Sequence, residues 1–329
     1  MRLSLLPLLC LCLPIGGCTT ITFYSQAASG QIEVLSKRQP IYEVIDKTAD
    51  DDLRERLLLT KRLLDFAEKE LLMPSGGAYE QYAELNREHL VWVIHAAPEL
   101  SMEPKRWWYP VIGRQAYRGY FREDLAMQEI QKLQEDGYET WVGGVDAFST
   151  LGWFRDPVLD TFVEREEVDY AELIFHELVH RKYYVSGKTD FNEAMAEAVA
   201  REGVRRWFHH TGRSELARRY DERLGRIGQA LEAIGSTVDK LDQLYASPRT
   251  DDEKRRLKAR EIASLKKRLQ ELRTEWGRGL SSWIDEPINN ARLNSFITYE
   301  AGVPRFAALI DECGGDFSKF WERVKELPD

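Results

Sequence analysis

The sequence predicts a mostly helical α+β protein, in which a small mixed sheet packs on two site-bearing helices and an antiparallel helical hairpin is inserted. Three observations support this fold class. Long segments carry apolar residues three and four positions apart, the period of a helix buried on one face. Runs of β-branched and aromatic residues are concentrated between about residues 90 and 150. Two later segments share a heptad-like spacing.

The composition is that of a globular protein with enough apolar material for a core. Hydrophobic residues make up 43% and charged residues 31% of the 329 positions, which excludes a disordered chain and a chain with many membrane spans. The net charge is −9 with both signs interleaved, so no basic stripe is available to neutralise a phosphate backbone. We therefore expect no nucleic-acid partner.

The first residues have the plan of a secretion signal. One arginine precedes an apolar run too short to span a bilayer, and small residues lead to Cys18. Residues 15–18, Ile-Gly-Gly-Cys, resemble a bacterial lipobox, which implies that residues 1–17 are a signal peptide and that Cys18 becomes a lipidated first residue. An uncleaved signal anchor and a plain secretory peptide are the alternatives. By resemblance to lipoprotein sorting signals, Thr19 in place of an aspartate implies the outer membrane of the cell envelope, with the protein facing the periplasm.

The signal-peptide interpretation also determines which cysteines remain in the mature chain. Cys10 and Cys12 would leave with the signal, so Cys18 and Cys313 remain of the four cysteines. With Cys18 acylated, we expect neither a disulfide nor a cysteine-rich metal cluster.

Amphipathic helices and strands are predicted before residue 150. Helical spacing is found in ITFYSQAASGQIEVLSKR and DDLRERLLLTKRLLDFAEKELL. The strand-like runs are HLVWVIHAAP, RWWYPVIG, AYRGYF and YETWVGGVDAFST, with EDLAMQEIQKLQEDG as a crossover helix. His89 and His95 lie in or beside the first strand, where a lone histidine more often packs than binds a metal.

A helical hairpin is predicted at about residues 212–280. Apolar residues three and four apart recur in two segments joined by the turn YASPRTDD: Leu224, Ile227, Leu231, Ile234, Val238 and Leu241, then Ile262, Leu265, Leu269, Leu272 and Trp276. Such segments zip along one apolar stripe, and we expect the pair to project as an arm. A protein partner for the arm is the second reading. The remaining tail predicts three short helices separated by Pro304 and the Gly314-Gly315 pair.

The stretch HELVH, at residues 176–180, is the candidate centre. On a helix, His176 and His180 lie one turn apart on the same face, which suits two corners of a tetrahedral zinc. Glu177 lies about a hundred degrees round the helix, where its carboxylate can reach a water without binding the metal. The motif alone is weak, because it should occur by chance in on the order of one in a hundred chains of this length.

A third ligand would strengthen the prediction of a zinc site. Catalytic zinc takes three protein ligands, and a helix-turn-helix would return Glu193 to the side of the first helix. We predict that Glu193 completes a His-His-Glu set for one zinc ion per chain, with Asn192 and Glu197 supporting the ligands. Glu197, one turn further on, would accept the spare N–H of a ligand histidine.

The helix boundaries are read from turn and cap residues. Ser186 and Gly187 stop the first helix, and Thr189 or Asp190 can cap the second.

The alternative to a zinc site is that these histidines and glutamates are solvated charges on two surface helices. It fits poorly, because FNEAMAEAVA carries no charge besides the two glutamates at issue, and carboxylates in an apolar helix need a partner.

HELVH followed by NEAMAE resembles the gluzincin metallopeptidases, which implies zincin-like packing of the two helices with a second-helix glutamate as third zinc ligand. The chain more closely resembles a bacterial family called putative aminopeptidases, whose members are predicted lipoproteins. The similar stretches are QAASGQ, YRGYF, STLGWFRDP, LIFHELVH, FNEAMAEAVAREGVRRW, NNARL and TYEAGVPRF. The similarity runs from about Gln26 to the C-terminus and implies aminopeptidase activity. Residues 18–329 are interpreted as one zinc peptidase domain that contains the hairpin.

The predicted chemistry is zinc-assisted hydrolysis of a peptide substrate. Glu177 would take the proton of the attacking water and pass it to the leaving amine. By analogy with the tyrosines of gluzincins, Tyr299 is the candidate donor to the oxyanion, with Tyr117 and Tyr120 as rivals. The YRGYF strand is a candidate edge for an extended peptide, and STLGWFRDP either lines the cleft or packs its aromatic residues against the core.

Two other functions are compatible with the sequence. In a lipid-anchored scaffold or assembly factor, the metal would hold two helices together and the hairpin would bind a partner. A structural zinc, however, needs no glutamate beside its first ligand and usually has four Cys or His ligands. A zinc amidase acting on peptidoglycan or another non-peptide amide would keep the centre and change the substrate.

Overall fold

The computed structural model describes residues 18–109, 113–277, 279–300 and 302–327, with side chains left out at 18–20 and 297–300. The predicted signal peptide lies outside these residues. The helices are α1 (Cys18–Ser36), α2 (Ile41–Lys47), α3 (Asp51–Glu70), α4 (Glu123–Glu135), α5 (Asp160–Val163), α6 (Glu167–Lys182), α7 (Thr189–His210), α8 (Ser214–Ala246), α9 (Asp251–Trp276), α10 (Ser281–Asp285), α11 (Asn290–Glu300), α12 (Val303–Glu312) and α13 (Phe317–Lys325). The strands are β1 (Gln39–Pro40), β2 (Gln81–Ala83), β3 (Val91–Pro98), β4 (Trp107–Tyr109), β5 (Gly113–Gln115), β6 (Tyr117–Tyr120), β7 (Tyr138–Val145) and β8 (Val158–Leu159).

The predicted fold class, mostly helical α+β, is confirmed, and the strands are divided more finely than the sequence indicates. A three-stranded sheet has the order β6-β3-β7, with both outer strands antiparallel to β3. Helix α4 is the crossover between β6 and β7. A second sheet, in the order β1-β2-β8, mixes antiparallel and parallel pairing, and β4 and β5 form a separate ribbon.

The main core surrounds α7, which packs against α6 along its length. Phe175 of α6 and Leu71, after α3, are fully buried beside it. Gly203 of α7 permits the close approach, since a Cβ atom there would lie 2.8 Å from a Phe175 ring carbon and 2.9 Å from a Leu71 methyl. The pair α6 and α7 is therefore fixed by packing before any ligand is considered.

Helices α8 and α9 form the predicted hairpin, but the expectation of a projecting arm is wrong. The apolar seam, including Ile234, Leu241 and Leu269, continues into Met102 after β3 and Leu293 of α11. The hairpin is therefore packed against the sheet side of the body rather than held away from it.

Polar groups reinforce this docking. Lys258 of α9 is 6% exposed, and its Nζ donates to Glu99 O at 2.8 Å and to Glu139 Oε1 at 2.5 Å. Asn290, at the start of α11, is fully buried and donates to backbone carbonyls of Pro98, Glu99 and Ser101. These polar contacts were not foreseen, because a lysine within a charged helix is usually exposed.

The C-terminal tail holds one more helix than predicted. It contains α10, α11, α12 and α13, and Pro304 lies in the first turn of α12, at the predicted boundary between α11 and α12. Gly314 and Gly315 end α12 as expected, with φ of 65° and 73°. Across the described part of the chain, no helix is both long and apolar enough to cross a membrane.

Candidate metal centre

The turn between α6 and α7 determines where the second helix begins. Gly187 reverses the chain with φ of 79°. Asn192 is fully buried, and its side chain both donates to Val185 O at 2.8 Å and accepts from Val185 N at 2.9 Å. This two-way contact fixes the turn and brings the next residue, Glu193, alongside α6. Asn192 thus acts on the turn backbone.

The predicted cap of α7 is wrong. Lys188 occupies the cap position without a side-chain hydrogen bond, and Thr189 is the first helical residue. The Thr189 hydroxyl donates instead to Gln115 Oε1 of β5 at 2.6 Å. The turn is held by the sheet ribbon and by Asn192, which sequence-local capping rules do not consider.

His176, His180 and Glu193 meet at one point. His176 Nε2 lies 3.1 Å from His180 Nε2 and 3.2 Å from Glu193 Oε2, and His180 Nε2 lies 3.5 Å from Glu193 Oε2. Zinc bonds of 2.0–2.2 Å in a tetrahedron place ligand atoms roughly 3.3–3.6 Å apart. The three distances lie within about 0.2 Å of that range, and within the described residues these side chains form a group of metal-ligand type.

Charge in the centre is balanced by pairing. Burial would raise the pKa of Glu193, but the adjacent His180 and His176 outweigh it and hold that pKa well below its usual range. Burial alone would lower the pKa of His176, but hydrogen bonds to Glu193 and Glu197 raise that pKa well above the usual value. An anionic carboxylate between two imidazoles is a donor set that a divalent cation fits.

A chain of polar contacts leads away from the centre. His176 Nδ1 lies 3.3 Å from Glu197 Oε2, and Arg201 donates to Glu197 Oε1 at 2.8 Å. Arg201 also lies 4.0 Å from Glu172, which accepts a hydrogen bond from Tyr220 of α8 at 2.9 Å. Although burial opposes it, the contacts with His176 and Arg201 lower the pKa of Glu197 to about 2. Glu197 is therefore an anion that can hold the His176 ring with Nδ1 as donor.

Glu177 lines the same cleft as His176, His180 and Glu193. Its Oε2 atom is buried and has no hydrogen-bond partner among the described residues. Burial raises its pKa, although the nearby His176 and His180 act in the opposite direction. A buried carboxylate oxygen without a protein partner is costly, so this oxygen is positioned for a ligand or a water.

A cleft of about 510 Å³ opens over these residues. The helices contribute His176, Glu177, His180 and Glu193 to its lining, and the sheet contributes Val93, Tyr117 and Val145. The segment after β7 adds Ala147, Phe148, Ser149, Thr150, Leu151 and Trp153, and Tyr184 completes the lining. The volume is within the usual range of small-ligand sites.

Residues 22–329 match the model of a protein family whose description is "Putative aminopeptidase". The chain belongs to this family. No curated protein and no solved structure matches it. The family match covers nearly the whole chain, including the sheet, the centre and the hairpin.

The tyrosines predicted as oxyanion donors have different surroundings in this family member. Tyr117 lines the cleft. Tyr120 is 4% exposed and packs against Phe23, away from the cleft lining. Tyr299 belongs to α11, but its side chain lies outside the described residues.

Tyr184 is the cleft residue that the sequence argument missed. Its ring centre lies 6.4 Å from that of His180, and its hydroxyl accepts a hydrogen bond from Gln115 Nε2 at 3.3 Å. Burial raises the pKa of Tyr184, so its phenol keeps its proton at neutral pH. The available signal was spacing, because Tyr184 follows His180 by the same four residues that separate His180 from His176.

The two strand histidines lie elsewhere in this family member. His95 is buried between Tyr117 and Trp141, and burial lowers its pKa to about 3. His89 Nδ1 lies 2.6 Å from Asp146 Oδ1. The structure thus places both in packing or pairing roles.

Proposed function

We propose that this member of the family is a zinc-dependent peptidase of the gluzincin type, with aminopeptidase activity as the family description suggests. One observation carries the proposal: the unpartnered Oε2 of Glu177 lies beside the compact His176, His180 and Glu193 group in a cleft. The proposed zinc ligands are those three residues. A zinc ion held by such a set supplies Lewis acidity to a water and to a substrate carbonyl.

The residues of the chain supply the proton transfers. Glu177 takes one proton from the attacking water as the oxygen–carbon bond forms, and passes it to the departing amine nitrogen as the carbon–nitrogen bond breaks. Glu197 keeps the His176 ring oriented by accepting from Nδ1. The phenol of Tyr184 lies in the cleft lining beside His180 and is the proposed donor to the developing oxyanion. Tyr117, which also lines the cleft, and Tyr299 stay predictions.

The experiment compares Glu177→Gln with the wild-type protein on a peptide mixture. The amide keeps the shape but cannot accept the proton, so hydrolysis should fall by about 10²- to 10⁴-fold, while zinc stays near one ion per chain and the Tm is unchanged. Glu70→Gln, an exposed change on α3, is the matched control and should behave as wild type. His180→Ala should lose both zinc and activity.

Two outcomes would contradict the mechanism. A Glu177→Gln protein that retains zinc and cleaves at the wild-type rate would show that Glu177 is not the general base. A wild-type, zinc-loaded protein that cleaves no peptide would favour a structural metal in a scaffold, and cleavage confined to non-peptide amides would favour the amidase.

We also propose that the protein is a lipoprotein of the cell envelope, attached through Cys18 to the outer membrane. The Ile-Gly-Gly-Cys sequence supports this proposal. Further support comes from the exposed apolar residues of α1, Ile21, Tyr24 and Ile32, which are 75%, 43% and 64% exposed. An apolar helix face next to a lipidated residue suits a position at the bilayer surface.

A further inference from the structure

The cleft beside the candidate centre has a largely apolar lining away from the ligands. Val93 and Val145 of the sheet and Phe148, Leu151 and Trp153 of the following segment supply it. Among the described residues of this lining, the acidic and imidazole groups all belong to the centre itself: His176, Glu177, His180 and Glu193. A substrate group that enters beyond the centre therefore meets hydrocarbon and aromatic surface.

Trp153 is the most unusual member of this lining, because 71% of its surface is exposed. The next residue, Phe154, is 44% exposed. An exposed aromatic residue is ordinary when it stands alone on a surface. Trp153 stands at a cleft that contains a candidate catalytic group, and covering its ring would yield a large hydrophobic gain.

The loop that presents Trp153 is held in shape by specific contacts. Asp156 accepts from Thr150 N at 3.0 Å and from Thr150 Oγ1 at 2.8 Å, and the same hydroxyl accepts from Phe154 N at 3.1 Å. Arg181, directly after His180, donates to Phe154 O at 3.2 Å. The loop is thereby joined to the helix that carries both histidines.

The loop also stores backbone strain. Leu151 has φ of 54°, the left-handed region, and Gly152 follows with φ of 84°. A residue other than glycine that adopts this conformation costs about 1–3 kcal/mol, and the conformation persists only where surrounding contacts enforce it. Here the enforced conformation turns Leu151 and Trp153 to the cleft.

We propose that residues 148–153 form a subsite for a large apolar side chain of the substrate, adjacent to the bond that is cleaved. The substrate class is peptides with Phe, Leu or a similar residue next to that bond. This inference rests on the proposed peptidase function. It adds the residue preference, with Trp153 as the specificity-determining residue and Asp156 and Arg181 as positioning residues for its loop.

Cleavage of synthetic tetrapeptides with Phe, Leu, Ala, Asp or Lys at each position tests the subsite. Wild-type protein should cut beside Phe and Leu in preference to Asp and Lys. Trp153→Ala should reduce the Phe-over-Ala ratio of kcat/KM by about 10- to 100-fold. Trp108→Ala is the matched control, since Trp108 is 65% exposed on β4 outside the cleft, and it should keep the wild-type ratio.

Binding to the zinc-loaded Glu177→Gln protein separates this inference from the proposed function. Calorimetric titration should give tighter binding of the Phe tetrapeptide than of the Asp tetrapeptide, and adding Trp153→Ala should remove the difference. If the wild type cleaves nothing but the binding preference is present, the peptidase proposal fails and the subsite stands. Equal selectivity in wild type, Trp153→Ala and Trp108→Ala, or a wild-type preference for charged residues, would overturn the subsite.

Discussion

The Nδ1 atom of His176 lies 3.3 Å from Oε2 of Glu197, on the side of the ring away from Glu193. Both glutamates belong to α7, one turn apart, so one helix supplies a candidate ligand and the group that orients another ligand. The position of α7 relative to α6 therefore determines the geometry of the whole centre.

Glu197→Gln should weaken zinc binding by about 10- to 100-fold, because the His176 ring loses an anionic acceptor. Chelator competition measures this affinity. Glu202→Gln, on the same helix but paired with Arg206, is the control and should bind zinc as wild type does. Equal affinities in the two variants would show that Glu197 does not support the centre.

Glu172 should make stability depend on pH. Burial, reinforced by the charge of Glu197, raises the pKa of Glu172 to about 7, above the usual glutamate value of 4.5. A raised folded-state pKa contributes stability that is present below pH 4.5 and is lost as pH rises through 7. Between pH 5.5 and 8.5 the wild type should lose on the order of 1–3 kcal/mol from this group, and Glu172→Gln should not. Urea unfolding with the metal content held constant measures the free energy of unfolding of both proteins at each pH. If the wild type and Glu172→Gln lose stability in parallel as pH rises, the role of Glu172 is refuted.

Lys258→Ala should destabilise the protein by about 3 kcal/mol, because Glu139 would remain partly buried without its cation. Lys258→Met with Glu139→Gln should recover at least half of the loss. Lys240→Ala, which removes an exposed lysine 3.8 Å from Glu261, should cost less than about 1 kcal/mol. Denaturant midpoints give all three values, and a Lys258→Ala protein as stable as Lys240→Ala would contradict the docking role of Lys258.

Cys18→Ser should abolish lipid labelling and release the protein from the membrane fraction into the soluble fraction. Cys313→Ser is the control, since Cys313 is buried at the C-terminal end of α12 and is not proposed as an acyl acceptor. Fractionation after labelling with a fatty-acid analogue measures both. Continued acylation of the Cys18→Ser protein would rule out the lipobox interpretation.

The helices of the centre were predictable because their signals are local. The spacing of His176 and His180 fixes their shared face, and a short turn leaves few places for Glu193. The strands β1, β2 and β8 were missed because two or three residues are too few to show an alternating pattern. The docking of the hairpin was missed because it depends on Lys258 and Asn290, whose polar side chains give no sequence sign of burial.

The loop at Trp153 illustrates the same limit. The sequence left open whether its aromatic residues line a cleft or pack in the core, since composition is the same in both cases. Its orientation comes from Asp156 and from Arg181, which lies 27 residues from its partner Phe154. Contacts of this range are set by tertiary packing.

The short turn between α6 and α7 also bears on the order of folding. His176 and Glu193 are 17 residues apart in the chain, whereas Lys258 is 159 residues from Glu99 and Asn290 is 192 residues from Pro98. Closing a short loop costs less chain entropy than closing a long one, and local contacts form faster. We expect the ligand-bearing helix pair to assemble early and the hairpin to join the sheet late, so a nascent chain would acquire its metal-binding residues in register before the body that shelters them is complete.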